Sequence, residues 1–429
     1  MTRFLVQGGD SLELVRCLLG LDDTDHSEVG CTTEVMNDLL LTISREVDPT
    51  ILERRLVRLW PFAERRTRGN GALGAILEIS ESEKEIMEAV CSTWFSKLLD
   101  RIEKYPSSGI PPSPCLVISY DPLPEEWYWE AVRGFVDSEY RFKQAVDSNC
   151  ILFHSDSNFG VVGACAAAAW QSSNQSSWEL IAWREVGSIG SKRMVAKESV
   201  TELEEKHPET FLNRDPTKGK GMIAPRTPCP VLYGIRGPSE SVVSNAHHWL
   251  QNRRDVERCS SFAAHLTNQL SDDHIASTQS GAVTTVAKES RGGHAFVFVF
   301  TGTENLKLIA FSEGGPVNRL LRTLRPGDKI SWSGLSAPDG SVHLEKLRLD
   351  LGSPRIVGRP ICCSRTMRSA GRGQDLRCLS CGKSVDKHWN STDAEPPAGH
   401  FMGEWLEPTP SNRRHLSRPL SHGNPGHHN

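Results

Sequence analysis

Asp22, Asp23 and Asp25 crowd three carboxylates into four positions, and Gly30-Cys31-Thr32-Thr33 follows shortly after. Carboxylates this close repel one another unless something positive sits among them. They are the hard oxygen ligands that Mg²⁺ takes, with Asp22 and Asp23 as the metal-binding pair. Gly30, Thr32 and Thr33 would offer backbone N–H groups and hydroxyls at the start of a helix, where a phosphate is stabilised. The plainer alternative is that the acidic turn only caps the helix, with Thr32 or Thr33 as N-cap.

A second group, Arg65-Arg66-Thr67-Arg68-Gly69-Asn70-Gly71, is basic and glycine-rich. Arg68 and the backbone of Gly69, Asn70 and Gly71 could approach phosphates closely. Alone, this stretch reads as a solvated hairpin with an Asn-Gly turn. After an acidic, metal-like loop in the same unit, the phosphate reading is the better one. A third group is Cys362, Cys363, Cys378 and Cys381. Two residues separate Cys378 from Cys381, so both sulfurs can reach one tetrahedral zinc ion. Cys362 and Cys363 are adjacent, which suits one ion poorly. His388 completing the site, or a degenerate site, therefore remains open.

Elements must hold these residues in place. Val15 to Leu21 is an apolar run that predicts a buried strand ending at the carboxylates, and Met36 to Ile43 has helical spacing. Strands are expected at Arg55–Pro61, Ala72–Ile79 and Cys115–Tyr120, with helices over Ser82–Ile102 and Glu125–Val136. Strands alternating with helices indicate an α/β or α+β domain. Further on, the small-residue run Gly160–Trp170 predicts a helix packed closely on a sheet, and Trp178–Arg184 a strand. Val231–Tyr233 and Pro238–Asn252 continue as strand and helix, in an order compatible with a ferredoxin-like sandwich. Between Ser280 and Leu349 five strands are expected, with a helix at Pro316–Leu324 after the third, which is the order of an OB-fold β-barrel. Phe296, Phe298 and Phe300 share one strand face and are expected to point into that barrel rather than to stack on bases. The multidomain α+β chain thus divides into units 1–137, 138–257, 258–352 and 353–429.

With 429 residues, two to four domains are expected. Apolar content of 38% and charged content of 24% fit a globular protein, and no run is long enough for a membrane span. The first residues lack a secretory pattern, so a cytoplasmic location is expected. The net charge is −4, yet Ser353–Asn429 holds eleven Lys and Arg against six Asp and Glu, a bias of +5 that suits a polyanion. Ser411–Pro419 is basic and reads either as an RNA-binding arm or as disorder.

Several of these runs together resemble the archaeal isoleucine tRNA 2-agmatinylcytidine synthetases. The runs are Leu21-Asp22-Asp23-Thr24-Asp25, Cys31-Thr32-Thr33, Thr67 to Gly71, Pro228-Cys229-Pro230-Val231-Leu232-Tyr233-Gly234-Ile235-Arg236-Gly237, Ser369 to Gln374, and Arg413 to Ser417. The resemblance spans about Leu18 to Leu420. It implies a kinase-like α/β domain, a ferredoxin-like domain, an OB fold and a zinc ribbon. It also implies ATP-dependent joining of agmatine to carbon 2 of the wobble cytidine in an isoleucine tRNA with a CAU anticodon, through a phosphorylated cytidine. Thr32 would become phosphorylated, with Asp22, Asp23 and Asp25 holding Mg²⁺ and the triphosphate of ATP. Glu209, Asp215, Tyr233 and Arg236 are candidates for the agmatine and cytidine pocket, because a guanidinium needs carboxylates or carbonyls around it. Arg372, Arg413 and Arg414 are the candidate tRNA contacts. No membrane and no obligate protein partner is implied.

Two departures stand out. Where the family carries a basic Lys/Arg-Gly-Arg-Gly segment, this chain has Ser157-Asn158-Phe159-Gly160, and its first cysteine knuckle is shortened. The rival readings are a non-catalytic RNA-binding protein, a ligase using another amine, and a small-molecule kinase.

Overall fold

A computed structural model describes residues 13–25, 30–66, 69–104, 110–173, 176–227 and 229–426. Thr67, Arg68 and Pro228, named above, lie outside the described residues. The chain forms two compact units: Met1–Ala276 with Arg414–Arg418, and Ser277–Arg413 with Pro419–Asn429.

The first unit begins β1 (Leu14–Asp22), α1 (Thr32–Glu46), β2 (Thr50–Arg58), β3 (Gly71–Ser80) and α2 (Lys84–Glu103). It continues β4 (Cys115–Ser119), α3 (Glu126–Arg133), α4 (Ser138–Asp147), β5 (Ile151–His154), α5 (Val161–Ala169) and β6 (Ser177–Arg184). Then come α6 (Lys197–Lys206), the short pair β7 (Arg214–Asp215) and β8 (Lys220–Gly221), β9 (Val231–Gly237), α7 (Glu240–Gln251) and β10 (Cys259–Thr267). Eight strands form one sheet, β5-β4-β1-β3-β2-β10-β6-β9. Neighbours are antiparallel except β2 and β10. The unit is therefore α+β.

Alternation along β1 decides what the acidic loop meets. Cys17, Leu19 and Leu21 face the apolar layer shared with α1 and α2. The other face, carrying Leu18, Gly20 and Asp22, turns toward α5. Gly20 and Gly74 are paired across β1 and β3, and a Cβ on them would lie 1.9 Å and 2.7 Å from the backbone oxygens of Ala164 and Ala167. The expected close helix–sheet contact of the small-residue run is thus present, but its sheet is that of β1 and β3. The expected boundary at residue 137 therefore cuts through one packed body, since β5 pairs with β4 and α5 packs on β1. The boundary at 257 likewise separates β10 from its neighbours β6 and β2.

The second unit contains β11 (Gln279–Val283), β12 (Lys288–Glu289), β13 (Ala295–Phe300), β14 (Asn305–Ala310), α8 (Pro316–Thr323), β15 (Lys329–Ser336) and β16 (Val342–Leu351). The path β11-β15-β16-β14-β13 is closed by β11 pairing with β13, which makes a five-stranded barrel. Its interior takes Ala295, Val297 and Val299, not the phenylalanines. Phe298 and Phe300 are 36% and 42% exposed, which corrects the expectation that they fill the barrel. The smaller residues of the alternating strand fit the crowded interior beside Trp332 and Leu347, and the period of two sends the rings outward. Beyond the barrel, two- and three-residue strands surround the four cysteines. Among the described residues the buried cluster there is small, Met367, Leu376 and Cys378, which makes a metal the natural stabiliser.

Candidate active site

Asp22 ends β1, and the chain then turns through Asp23, whose φ of +55° an aspartate tolerates better than most residues. Cys31 sits at the N-cap of α1 without making a side-chain cap. Asp25 takes that role: its Oδ1 accepts from the backbone N–H of Thr32 at 2.5 Å and from the Thr32 hydroxyl at 2.8 Å. Thr24 Oγ1 donates to Thr32 Oγ1 at 3.1 Å. The hydroxyl of Thr32 is thereby aimed, with a carboxylate placed to accept its proton. The capping alternative and the functional one coexist here, because the carboxylate that caps the helix also holds the hydroxyl.

Asp22, Asp23, Asp25 and Thr32 line one cavity of about 430 Å³ with Asn70 and Gly71. Burial and the neighbouring Asp23 charge push the Asp22 carboxyl up to about 8. Burial pushes Asp23 up to about 6, against the pull of Arg65. Carboxylates so disfavoured as anions are suited to a cation. Among the described residues the three are not placed with their carboxylate oxygens all within 4.8 Å of one another. One or two carboxylates with water and phosphate oxygens completing the shell is the arrangement Mg²⁺ prefers. Gly163 on α5 makes room: a Cβ there would lie 1.8 Å from Asp22 Oδ2.

Arg65 is a member of this site that the sequence reading passed over. Its Nη2 lies 3.3 Å from Asp23 Oδ2 and donates to the carbonyl of Pro111 at 2.6 Å. The basic run around it was visible, but which arginine turns inward depends on β2 and β3 bringing the loop to the end of β1. The Gly69 carbonyl accepts from Arg58 Nη1 at 3.0 Å, and Asn70 Nδ2 donates to the carbonyl of Trp60 at 2.7 Å. Arg58 also meets Glu179 at 3.2 Å, and Glu179 receives Arg236 at 2.7 Å and Gln269 on the same carboxylate. Glu179 is 3% exposed; burial alone would raise its carboxyl, but Arg236 and Arg58 outweigh that and hold it down at about 2.

Other candidate residues stand elsewhere. Thr33 is buried, and its hydroxyl accepts from Trp183 Nε1 at 3.0 Å, so it is held inside. Gly30 forms the turn before α1, at φ +88°. Arg236 is committed to Glu179 and Gln269. Tyr233 is buried with its hydroxyl between His247 and Gln251. Asp215 is buried and accepts from the backbone N–H and hydroxyl of Thr217, while Glu209 is exposed. None of these four lines the cavity. Its wall also takes in Trp60, Arg65, Ile110, Gly134–Ser138, Phe159 and Gly163. A larger groove of about 850 Å³ between α1 and α2 holds none of these candidate residues.

In the second unit the four cysteine sulfurs lie within 4.8 Å of one another. Cys362 Sγ is 3.9 Å from Cys363 Sγ and 3.5 Å from Cys381 Sγ. A tetrahedron with Zn–S bonds of about 2.3 Å has edges of about 3.8 Å. The adjacent pair therefore fits zinc after all. Cys363 and Ser364 adopt φ of +48° and +61°, and this left-handed backbone swings the neighbouring sulfurs to one side. Backbone N–H groups of Cys381 and Ser380 pull the Cys378 thiol down to about 6, close to the thiolate form a metal needs. His388 bonds the carbonyl of Asp386 and is outside the cluster. Arg372 is exposed, and Arg413 pairs with Glu407 at 3.5 Å. In the first unit Arg414 stacks over Phe62 at 5.4 Å. Residues 414–418 are no free arm: Leu416 is buried, and the carbonyls of His415 and Leu416 accept from Leu270 and Asp272.

Comparison with known proteins gives a consistent result. Family models for the TiaS TCKD domain, the TiaS FLD domain and the TiaS C-terminal zinc ribbon domain match residues 18–154, 158–274 and 359–392. An isoleucine tRNA 2-agmatinylcytidine synthetase, TiaS, of Methanopyrus kandleri is 32% identical, over 94% of this chain and 96% of that protein. The TiaS of Archaeoglobus fulgidus is 30% identical, over 95% and 97%. A crystal structure of TiaS in complex with isoleucine tRNA and ATP is similar with a TM-score of 0.81 at 26% identity, over 96% of this chain and 98% of that one. A complex of TiaS with isoleucine tRNA, AMPCPP and agmatine is similar with a TM-score of 0.77 at 25% identity, over 96% and 98%.

Proposed function

The chain belongs to the isoleucine tRNA 2-agmatinylcytidine synthetase family, and on that footing we propose that the cavity holding Asp22, Asp23, Asp25 and Thr32 is its catalytic centre. The protein is an ATP-dependent ligase that joins agmatine to a cytidine of an isoleucine tRNA. The target is carbon 2 of the wobble cytidine in the CAU anticodon, reached through a phosphorylated base. The body around β1–β5 and α5 is the kinase-like part, the body around β6, β9 and β10 is ferredoxin-like, and the barrel is an OB fold that grips RNA.

The observation that carries this reading is the Thr32 hydroxyl, held 2.8 Å from Asp25 at a helix N-terminus. There Asp25 accepts the hydroxyl proton as Oγ1 attacks a phosphorus of ATP, and the P–O bond to the rest of the nucleotide breaks, the bridging oxygen leaving with it. Asp22 and Asp23 would hold Mg²⁺, which when bound neutralises charge on the transferring phosphoryl group. Arg65 then exchanges part of its hold on Asp23 for phosphate oxygen. Asn70 and Gly71 shape the floor beneath the phosphates. A carbonyl oxygen of the base is a poor leaving group; phosphorylated, it can be displaced by the agmatine amine.

The test is nucleoside mass analysis after incubation with a CAU-anticodon isoleucine tRNA transcript, ATP, Mg²⁺ and agmatine. Cytidine heavier by agmatine less water, with AMP formed, is expected from the wild type and absent with Asp22→Ala. A bound but unmodified tRNA with the wild type would move a binding-only role ahead.

A further inference from the structure

We propose that Phe159 is a stacking platform for a nucleobase at the mouth of the catalytic cavity; this rests on the function proposed above. Phe159 lies just before α5, with its backbone N–H donating to Ser113 Oγ at 3.2 Å. Phe159 is 48% exposed although it lines the cavity. The guanidinium of Arg65 lies 4.4 Å from the ring centroid. That guanidinium is itself anchored by Asp23 and the Pro111 carbonyl. The ring is thus backed by a cation that also reaches the acidic floor.

A phenylalanine that merely filled space would be covered by its neighbours, yet this one is half open. Phe135 and Ile110, which line the same cavity, are 76% and 60% exposed. Three open apolar side chains around an acidic, phosphate-directed floor describe a site for a ligand with a flat apolar part and a charged part. A nucleobase attached to a phosphate, or awaiting one, has that form. The cavity of about 430 Å³ has room for such a group. The base is either the adenine of ATP or the cytosine turned out of the anticodon.

The experiment compares wild type with Phe159→Ala, Phe159→Leu and Phe159→Trp. Dissociation constants for ATP and for tripolyphosphate are measured without tRNA, and kcat and KM are measured with the isoleucine tRNA varied. Stacking predicts a loss of about ten-fold in Phe159→Ala, the order one stacked base carries. It also predicts a similar loss in Phe159→Leu and near-recovery in Phe159→Trp. If adenine is the base, ATP weakens while tripolyphosphate does not. If cytosine is, ATP is unchanged and kcat/KM for tRNA falls. The inference is overturned if Phe159→Ala changes neither by more than about two-fold, or if Phe159→Leu behaves as wild type, since leucine is apolar but not planar. Wild-type product formation in the same assay separates this failure from failure of the proposed function.

Discussion

Glu179→Gln should weaken the protein while preserving its shape. Gln keeps the size and the acceptor oxygen but removes the charge that faces Arg58 and Arg236 at 3.2 Å and 2.7 Å. The carboxyl is held down from the ordinary 4.5 to about 2. At about 1.4 kcal/mol per pH unit, this is a preference of about 3 kcal/mol for the charged form. It agrees in scale with the ~3–5 kcal/mol seen when one partner of a buried ion pair is removed. At about 2–4 °C per kcal/mol for a unit of this size, Tm at pH 7 should fall by about 6–12 °C. The sign of the pH dependence follows from the lowered folded value. The stability that Glu179 contributes is present above its unfolded pKa and is lost as pH falls through about 2. The Tm gap between wild type and variant should therefore be full above about pH 5 and shrink toward pH 2. Because Arg58 also holds the Gly69 carbonyl, kcat should fall too. Equal Tm values at pH 7, or a gap that does not shrink in acid, would refute the ion-pair account.

Other expectations follow from the same geometry. With Asp22 and Asp23 raised to about 8 and 6, the metal-free protein loses stability as pH rises from about 4 through those values. Mg²⁺ should therefore raise Tm more at pH 8.5 than at pH 5.5 by scanning calorimetry, and a pH-independent shift would remove Asp22 and Asp23 as its ligands. Asp25→Asn should lower kcat by about 10²–10⁴ and cost about 1 kcal/mol at the helix cap, with tRNA affinity retained in a filter-binding assay. Elemental analysis should find one zinc ion in the cysteine cluster. Cys363→Ser should release it as readily as Cys378→Ser does; full zinc retention in Cys363→Ser would show that the adjacent pair does not bind as the sulfur positions indicate.

The strand ending in carboxylates, the helix after Gly30-Cys31-Thr32-Thr33 and the five-stranded barrel were legible because their signals are local. Polar residues end an apolar run, and side chains alternate along a strand. The joining of Asp22 to Asn70 and Gly71 in one cavity was legible only as a suspicion, since neither loop alone outweighed its plain reading. Tyr233, Arg236 and Asp215 looked like ligand residues because they are polar and sit in distinctive runs. Each is committed to a partner within the fold.

By itself the sequence determined which residues are acidic, basic or thiol-bearing, where strands and helices start, and which family this is. Tertiary structure decided that α5 lies against β1 and leaves space for the Asp22 carboxylate. It decided that Arg65 reaches Asp23, that Glu179 gathers Arg58 and Arg236, and that two adjacent cysteines point to one ion. It also turned Phe298 and Phe300 outward. The physical reason is common to these cases. Burial and charge pairing depend on neighbours brought from distant positions in the chain, and neither spacing nor composition encodes which face of a strand or which side of a turn will meet them.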